Sequence, residues 1–373
     1  MPPLLSISPR VRKSPFYDAT LRYGARSFTV YNHMYMPTVY KSPEEDYHSL
    51  INDVTLWDVA VERQVEVKGK DAAKLVQRLV TRDVSKFEVG QAKYVLLCDE
   101  EGGLLNDPVL LKLAEDHFWL SLADYDLLLW VKAVAMCQGF EVTVDEPDVS
   151  PLQVQGPKAK ALMTDLFGDW VNGIKFYRFR ELEFEGIPLV VSRTGWSGEV
   201  GFEIFLRDAA YGDALWERVM AAGDPYNIAP CAPSTIKRIE AGLMSYLTDM
   251  DWRDNPFEVG LGWVVDLEQE TDFIGKEALN RIKAEGAKRG RIGLVLHGEP
   301  LTTANEEPWS VFADDEAVGV MTNGVYSPRL EKNIAIAILQ TEYAKPGVKI
   351  KVHAPQGVLE ATTAELPFIK SQK

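Results

Sequence analysis

Hydrophobic and polar positions along the chain switch repeatedly between a period of two and a period near 3.6, as an alternation of strands and helices requires. Residues 61–67 alternate like a half-buried strand. Asp71 then stands at a helix-cap position ahead of Ala72, Leu75, Val76, Leu79 and Val80, which share one helical face. Residues 94–98, 104–113 and 118–122 read as strands, with a Gly102-Gly103 turn between the first two. Asp124 opens a predicted helix carrying Leu127, Leu128, Val131, Val134 and Ala135, and residues 140–144 close the unit. That order predicts an antiparallel sheet with helices on one face.

Glu146-Pro147-Asp148 marks a joint. Beyond it come a strand at 151–155, a helix at 157–167, strands at 181–184, 188–193 and 202–206, and helices at 211–222 and 234–245. A helix at 276–284 leads into short strands at 291–297, 317–321, 333–339 and 348–352, separated by Gly, Pro and Asn turns; that spacing predicts a small all-β domain.

Composition narrows what such a fold can do. A chain of 373 residues is too long for one core, so about two or three domains are expected. The net charge of −15 disfavours nucleic acid, and the basic stretch 283–291 is short and interrupted by Glu285, which fits a solvated helix end. No apolar run is long enough to span a bilayer and none resembles a signal peptide, so a soluble cytoplasmic protein is expected. Cys98, Cys137 and Cys231 form no CxxC pair and read as buried reduced thiols. The five histidines have no metal-ligand spacing, so no metal site is expected, and nucleotide-loop and nucleophile-elbow motifs are absent.

Three constellations remain. In Arg193-Thr-Gly-Trp-Ser-Gly-Glu-Val-Gly-Phe-Glu203, a glycine-rich loop feeds a strand on which Phe202, Ile204 and Leu206 share one face while Glu203 and Phe205 share the other. A carboxylate among apolar strand neighbours needs N–H donors if buried, as a pterin ring would supply; the alternative is an edge glutamate facing water. Asn106-Asp107-Pro108 interrupts an apolar strand, through turn chemistry or to expose a carboxylate to a substrate. Tyr31, Trp170, Phe176, Tyr177 and Trp196 are either core aromatics or walls for a flat ring or a cation.

The segments GGLLNDPVLLKL, RTGWSGEVGFEIFL, RIEAGLMSYLTDMDWRDNPFEVGLGWVVDL, FIGKEAL, RIGLVL and GVMTNGVYSPRLEKNIAIAIL occur in one order. Together they resemble the glycine-cleavage T-protein (aminomethyltransferase) family, from about residue 47 to about 365. The resemblance implies an α+β, three-domain cloverleaf: a folate-binding domain (1–50 and 146–245), a second, ferredoxin-like α+β domain (51–145 and 246–285) and a β-barrel-like C-terminal domain (286–373). It implies tetrahydrofolate as cofactor, bound by Glu203, Trp196, Tyr94, Arg238 and Arg291, with Asp107 beside the reacting centre. Asn106 stands where relatives have a second acid, and Trp196-Ser197 replaces Tyr-Thr. Those departures, with residues 28–50 and 56–77, are closer to the dimethylsulfoniopropionate (DMSP) demethylase subgroup. Membership there implies a small sulfonium substrate held by Tyr31, Trp170, Trp196 and Ser245, with its carboxylate at Ser245 or a neighbouring backbone N–H. Phe205 stands where some relatives have tyrosine, so no hydroxyl contact is expected there. Glycine-cleavage aminomethyl transfer, with a lipoyl carrier protein as partner, and folate binding without catalysis are the alternative functions. A homodimer is compatible with all of them.

Overall fold

The computed structural model describes residues 8–371. The first lobe is built on a six-stranded sheet in the order Phe179–Phe184, Ile187–Ser192, Gly201–Leu206, Ser150–Gln155, Val54–Asp58, Ile228–Cys231. Its pairs are antiparallel except the last, which is parallel. The strand Val54–Asp58 lies beyond the residue-50 boundary expected for this lobe, because its register with Ser150–Gln155 places it inside the sheet. All five of its residues are buried, so no alternation marked it in advance.

The second lobe holds a five-stranded antiparallel sheet, in the order Thr143–Asp145, Gln64–Lys68, His117–Ser121, Val109–Ala114, Gln91–Tyr94. Helices Ala72–Leu79 and Leu128–Gln138 cover one face. Asp71 precedes the first without capping it, since its carboxylate accepts the Glu141 N–H instead. The second helix starts at Leu128 rather than Asp124, where Asp126 Oδ1 takes the Leu128 N–H at 2.8 Å.

The bare faces of the two sheets pack on each other. Ala92, Leu111, Leu113 and Trp119 of one meet Phe179, Val190 and Phe205 of the other. Phe202, Ile204 and Leu206 point away into a separate core under the helices Ala159–Phe167 and Gly212–Gly223, as strand alternation predicts. Glu203 therefore faces the interior between the lobes.

The third lobe is a closed six-stranded barrel, Arg289–Leu296, Lys332–Gln340, Glu316–Ser327, Trp309–Ala313, Lys349–Ala354 and Gly357–Ala364. Between it and the ribbon Leu97–Cys98/Leu104–Asn106 lies a further core that includes Ile239, Met244, Tyr246, Phe273 and Leu279. The segment after residue 245 thus seats the barrel on the second lobe. Arg289, expected in a solvated turn, instead pairs with Asp254 and Glu258 at the barrel's start. Cys98 and Cys231 are buried thiols, whereas Cys137 is exposed.

Candidate active site

Glu203 sits opposite Gln153 in the first sheet. Gln153 Nε2 donates to Glu203 Oε1 at 2.7 Å, and the Thr194 hydroxyl donates to Oε2. The same Nε2 lies 3.2 Å from Glu62 Oε1, so two carboxyls share one amide. Burial, and then the charge of Glu203, push the Glu62 carboxyl well above the usual range. Gln153 Oε1 is buried without a hydrogen-bond partner. The loop leading to Glu203 is shaped by glycine: a Cβ on Gly195 or Gly201 would lie 2.2 Å from the Gln155 side chain, and Gly195 has φ +154°. Gln155 fills that space and accepts the Ser197 hydroxyl at 2.6 Å.

Asp107 lies at the break between the strands Leu104–Asn106 and Val109–Ala114, ahead of Pro108. Tyr94 Oη donates to its Oδ2 at 2.7 Å, while Oδ1 is buried with no partner. Burial pushes the Asp107 carboxyl up to about 7, against the opposing pull of the Tyr94 bond. Asn106 plays another part: its side chain binds the Ala123 and Tyr125 carbonyls and the Ala123 N–H, pinning the adjoining loop. Trp263 stacks on Tyr94, with centroids 6.1 Å apart and planes at 29°. The Tyr31 hydroxyl lies near Glu62, Asp107 and Asp124, and burial first, then those acids, raise its pKa well above the usual value. Tyr177, held at φ +59°, is pushed up to about 12 by burial first and then by Glu203.

The structure thus gathers Glu203, Asp107, Tyr94 and Tyr31 at one centre. Trp196 is half-buried on the glycine loop beside it, and no aromatic or cationic group stacks on its ring among the described residues. Arg291 is largely buried; it donates to the Gly242 carbonyl at 3.1 Å and lies within electrostatic reach of Tyr94.

Three expected site residues are placed otherwise. Arg238 is a buried clamp, bonded to Asp249 at 2.6 Å, Asn323 at 2.8 Å and the Leu243 carbonyl at 3.2 Å, which leaves it no freedom to serve a folate tail. Trp170 packs on the helix-covered side of the first sheet, under the Arg180 guanidinium at 4.9 Å, on the face opposite Glu203. Ser245 lies outside its predicted helix, which ends at Glu240 because Gly242 turns left-handed and the Leu243 N–H bonds back to the Arg238 carbonyl. The Ser245 backbone N–H is committed to Asp249 at 2.9 Å, and its hydroxyl donates to the Thr248 hydroxyl at 3.4 Å.

Glu62, Gln153 and Trp263 escaped the sequence reading altogether. Glu62 had one visible signal, an acid directly after the apolar run Val59-Ala60-Val61. Nothing local marked Gln153 or Trp263, whose roles depend on partners more than 40 residues away, such as Glu203 at a separation of 50. Among the described residues no group of acidic, histidine and cysteine side chains could hold a metal ion, and no helix is long and apolar enough to cross a membrane.

Two sheets and a barrel converge on a group of acids, tyrosines and an indole, in a three-lobed chain. Comparison with known proteins gives that architecture its name. The GCVT N-terminal domain matches residues 16–269 and the glycine cleavage T-protein C-terminal barrel domain matches 289–370: the chain belongs to the glycine-cleavage T-protein family of one-carbon transferases, which use folate. Dimethylsulfoniopropionate demethylase DmdA of Ruegeria pomeroyi is 41% identical over 358 residues, covering 96% of this chain and 97% of that protein. An aminomethyltransferase of Halalkalibacterium halodurans is 33% identical over 367 residues, covering 96% and 98%. The glycine cleavage aminomethyltransferase T of Bartonella henselae shares the fold with a TM-score of 0.87 at 24% identity, over 97% of this chain and 99% of that one.

Proposed function

We propose that this transferase moves a methyl group from the sulfonium of DMSP to N5 of tetrahydrofolate, leaving methylthiopropionate and 5-methyltetrahydrofolate. The observation that carries the reading is the 41% identity to a DMSP demethylase along 96% of the chain. The donor set fits a folate ring. Asp107 Oδ1 and Gln153 Oε1 are buried acceptors without partners among the described residues, and Glu203 stands beside Gln153. A ring edge rich in N–H groups satisfies such acceptors.

Tetrahydrofolate supplies the methyl-accepting nitrogen. The sulfonium needs no covalent help, because the S–CH₃ bond breaks with its electron pair staying on sulfur, giving a neutral thioether. The protein's work is then alignment and proton handling. Asp107 would receive the proton lost from N5 through its buried Oδ1, and a carboxyl at about 7 suits that task near neutral pH. Tyr31 and Trp196 hold the sulfonium through cation–π contacts of about 0.5–2 kcal/mol each. Anaerobic incubation with DMSP and tetrahydrofolate should yield methylthiopropionate and 5-methyltetrahydrofolate in equal amounts; absence of both overturns the reading. The 33% identity to an aminomethyltransferase supports a second one, aminomethyl transfer from a lipoyl carrier protein, which ammonia release from that carrier would favour.

A further inference from the structure

One group of cations beside the centre has no role in the site described above. The strand Gln91–Tyr94 carries Tyr94 at its end, and its outer edge pairs with the first lobe: the Ala92 N–H bonds the Tyr177 carbonyl and the Phe179 N–H bonds the Gly90 carbonyl. Arg82, Lys93 and Arg178 gather along this seam. Arg82 donates only to the Tyr94 carbonyl, at 3.2 Å, and Lys93 has no carboxylate within ion-pair distance among the described residues. The Lys93 ammonium lies over the Phe87 ring at 5.9 Å, and Glu88 is the acid within electrostatic reach of it. Arg178 pairs with Glu88 at 2.6 Å; the other acid near the group, Asp266, pairs with Lys86.

All three side chains are partly buried, and Arg82 and Arg178 act on Lys93 as like charges. Massing half-buried cations with so little compensation is costly unless an anion from outside joins them. In a chain of net charge −15 such an excess is a local exception. The group also adjoins the centre: Arg82 bonds the carbonyl of Tyr94, whose hydroxyl bonds Asp107, and Tyr177 lies within electrostatic reach of Arg82, Asp107 and Glu203. Tyr177 itself is held in left-handed backbone, a conformational cost non-glycine residues rarely bear.

We propose that Arg82, Lys93 and Arg178 form a carboxylate-binding site at the seam of the first two lobes, taking the anionic end of a reactant whose reacting end lies at Asp107. The assignment to a reactant rests on the function proposed above. Two reactants carry the required chemistry: the sulfonium substrate through its propionate and the folate through its glutamyl tail.

The test has two stages. Glutarate, which has no reacting group, is titrated into wild-type protein, Lys93→Met and Lys93→Arg by calorimetry. Binding that is lost in the methionine variant and restored in the arginine variant supports the site, whether or not methyl transfer occurs. Equal binding by all three proteins, or none by the wild type, overturns it. Steady-state kinetics then identify the source. If the substrate's propionate is bound, Lys93→Met raises its KM about tenfold, a loss near 1.4 kcal/mol, and leaves the KM of its neutral carboxamide unchanged. If the folate tail is bound, the same loss appears with tetrahydrofolate triglutamate and not with tetrahydropterin. In both cases kcat stays within about twofold, as uniform binding requires. Unchanged KM values for both reactants overturn the assignment to a reactant. Catalytic failure of the wild type with glutarate binding intact overturns the proposed function and leaves the carboxylate site standing.

Discussion

Two groups of buried acids, four residues apart in sequence at their closest, do opposite work. Glu199 meets Lys237 Nζ at 3.0 Å and Arg329 at 3.8 Å, and Lys237 also faces Glu240 at 3.8 Å. Glu240 accepts hydroxyls from Tyr47 at 2.7 Å and Ser327 at 2.6 Å. This group ties the glycine loop of the first lobe, the helix Thr235–Glu240 and the barrel together. At the centre, Glu62 and Asp107 have no ion pair among the described residues, and Glu203 is held by neutral donors, Gln153 and Thr194. Acids matched by cations fix the frame. At the centre, burial gives Glu62 and Asp107 a raised hold on a proton, and Asp107 Oδ1 has no partner among the described residues, which is what a binding and proton-handling site needs.

The comparison breaks most visibly at Lys237. Lys237→Met leaves Glu240 with hydroxyl donors alone and Glu199 with only the more distant Arg329, and should cost about 3–5 kcal/mol, read as a fall in the urea midpoint. A variant as stable as the wild type would mean that the cation is not what holds the lobes. Asp107→Asn should lower kcat by about a hundredfold or more, as loss of a general base does, while the protein stays folded. Its stability should also change sign-specifically with pH. The folded-state pKa, about 7, lies above that of an unfolded carboxyl, so the folded state prefers the protonated acid. That contribution is fully present below the unfolded pKa and is lost as pH rises through about 7. The asparagine variant should therefore gain on the wild type by roughly 1–3 kcal/mol between pH 4 and pH 8, measured by urea denaturation at each pH.

Glu203→Gln should weaken folate binding by about 1.5–3 kcal/mol, the worth of hydrogen bonds to a charged group, with little loss of stability because it relieves Glu62 of a like charge. Unchanged affinity by calorimetry would place the ring elsewhere. A finer probe is Tyr94→Phe. The Tyr94 bond lowers the Asp107 pKa, so its removal should shift the rising limb of kcat/KM, set by deprotonation of Asp107, to higher pH by up to about one unit. A shift to lower pH would remove Asp107 from the role of base.

How far such roles can be read in advance follows from the same contrast. Period-two alternation separates Phe202, Ile204 and Leu206 from Glu203, and the structure puts those two sets on opposite faces of the sheet. Asn106-Asp107-Pro108 breaks a strand visibly, and the break is where the carboxyl is buried. Arg238 was unreadable, because a basic residue near a helix end looks the same whether it awaits a ligand or grips Asp249 and Asn323 from distant segments. Val54–Asp58 was missed for a related reason: a strand buried on both faces has no polar side to betray it. Local pattern reports which face a side chain takes. It does not report what stands opposite.

Trp170 and Trp196 make the smallest and cleanest test of that point. Both are half-buried tryptophans in the first lobe, equally suited by composition to a sulfonium. Trp170 already has a cation, Arg180 at 4.9 Å, and bonds the Phe167 carbonyl through Nε1 at 2.7 Å, so its ring belongs to the packing under the helices. Trp170→Leu should cost about 1–2 kcal/mol of stability through lost burial and leave the sulfonium KM within twofold. Trp196→Leu should do the reverse, raising KM by the few-fold to about thirtyfold that a cation–π contact of 0.5–2 kcal/mol supports. If Trp170→Leu alone raised KM, the two sides of the sheet would not be functionally separate. The cation would then have to reach a ring that Arg180 already covers.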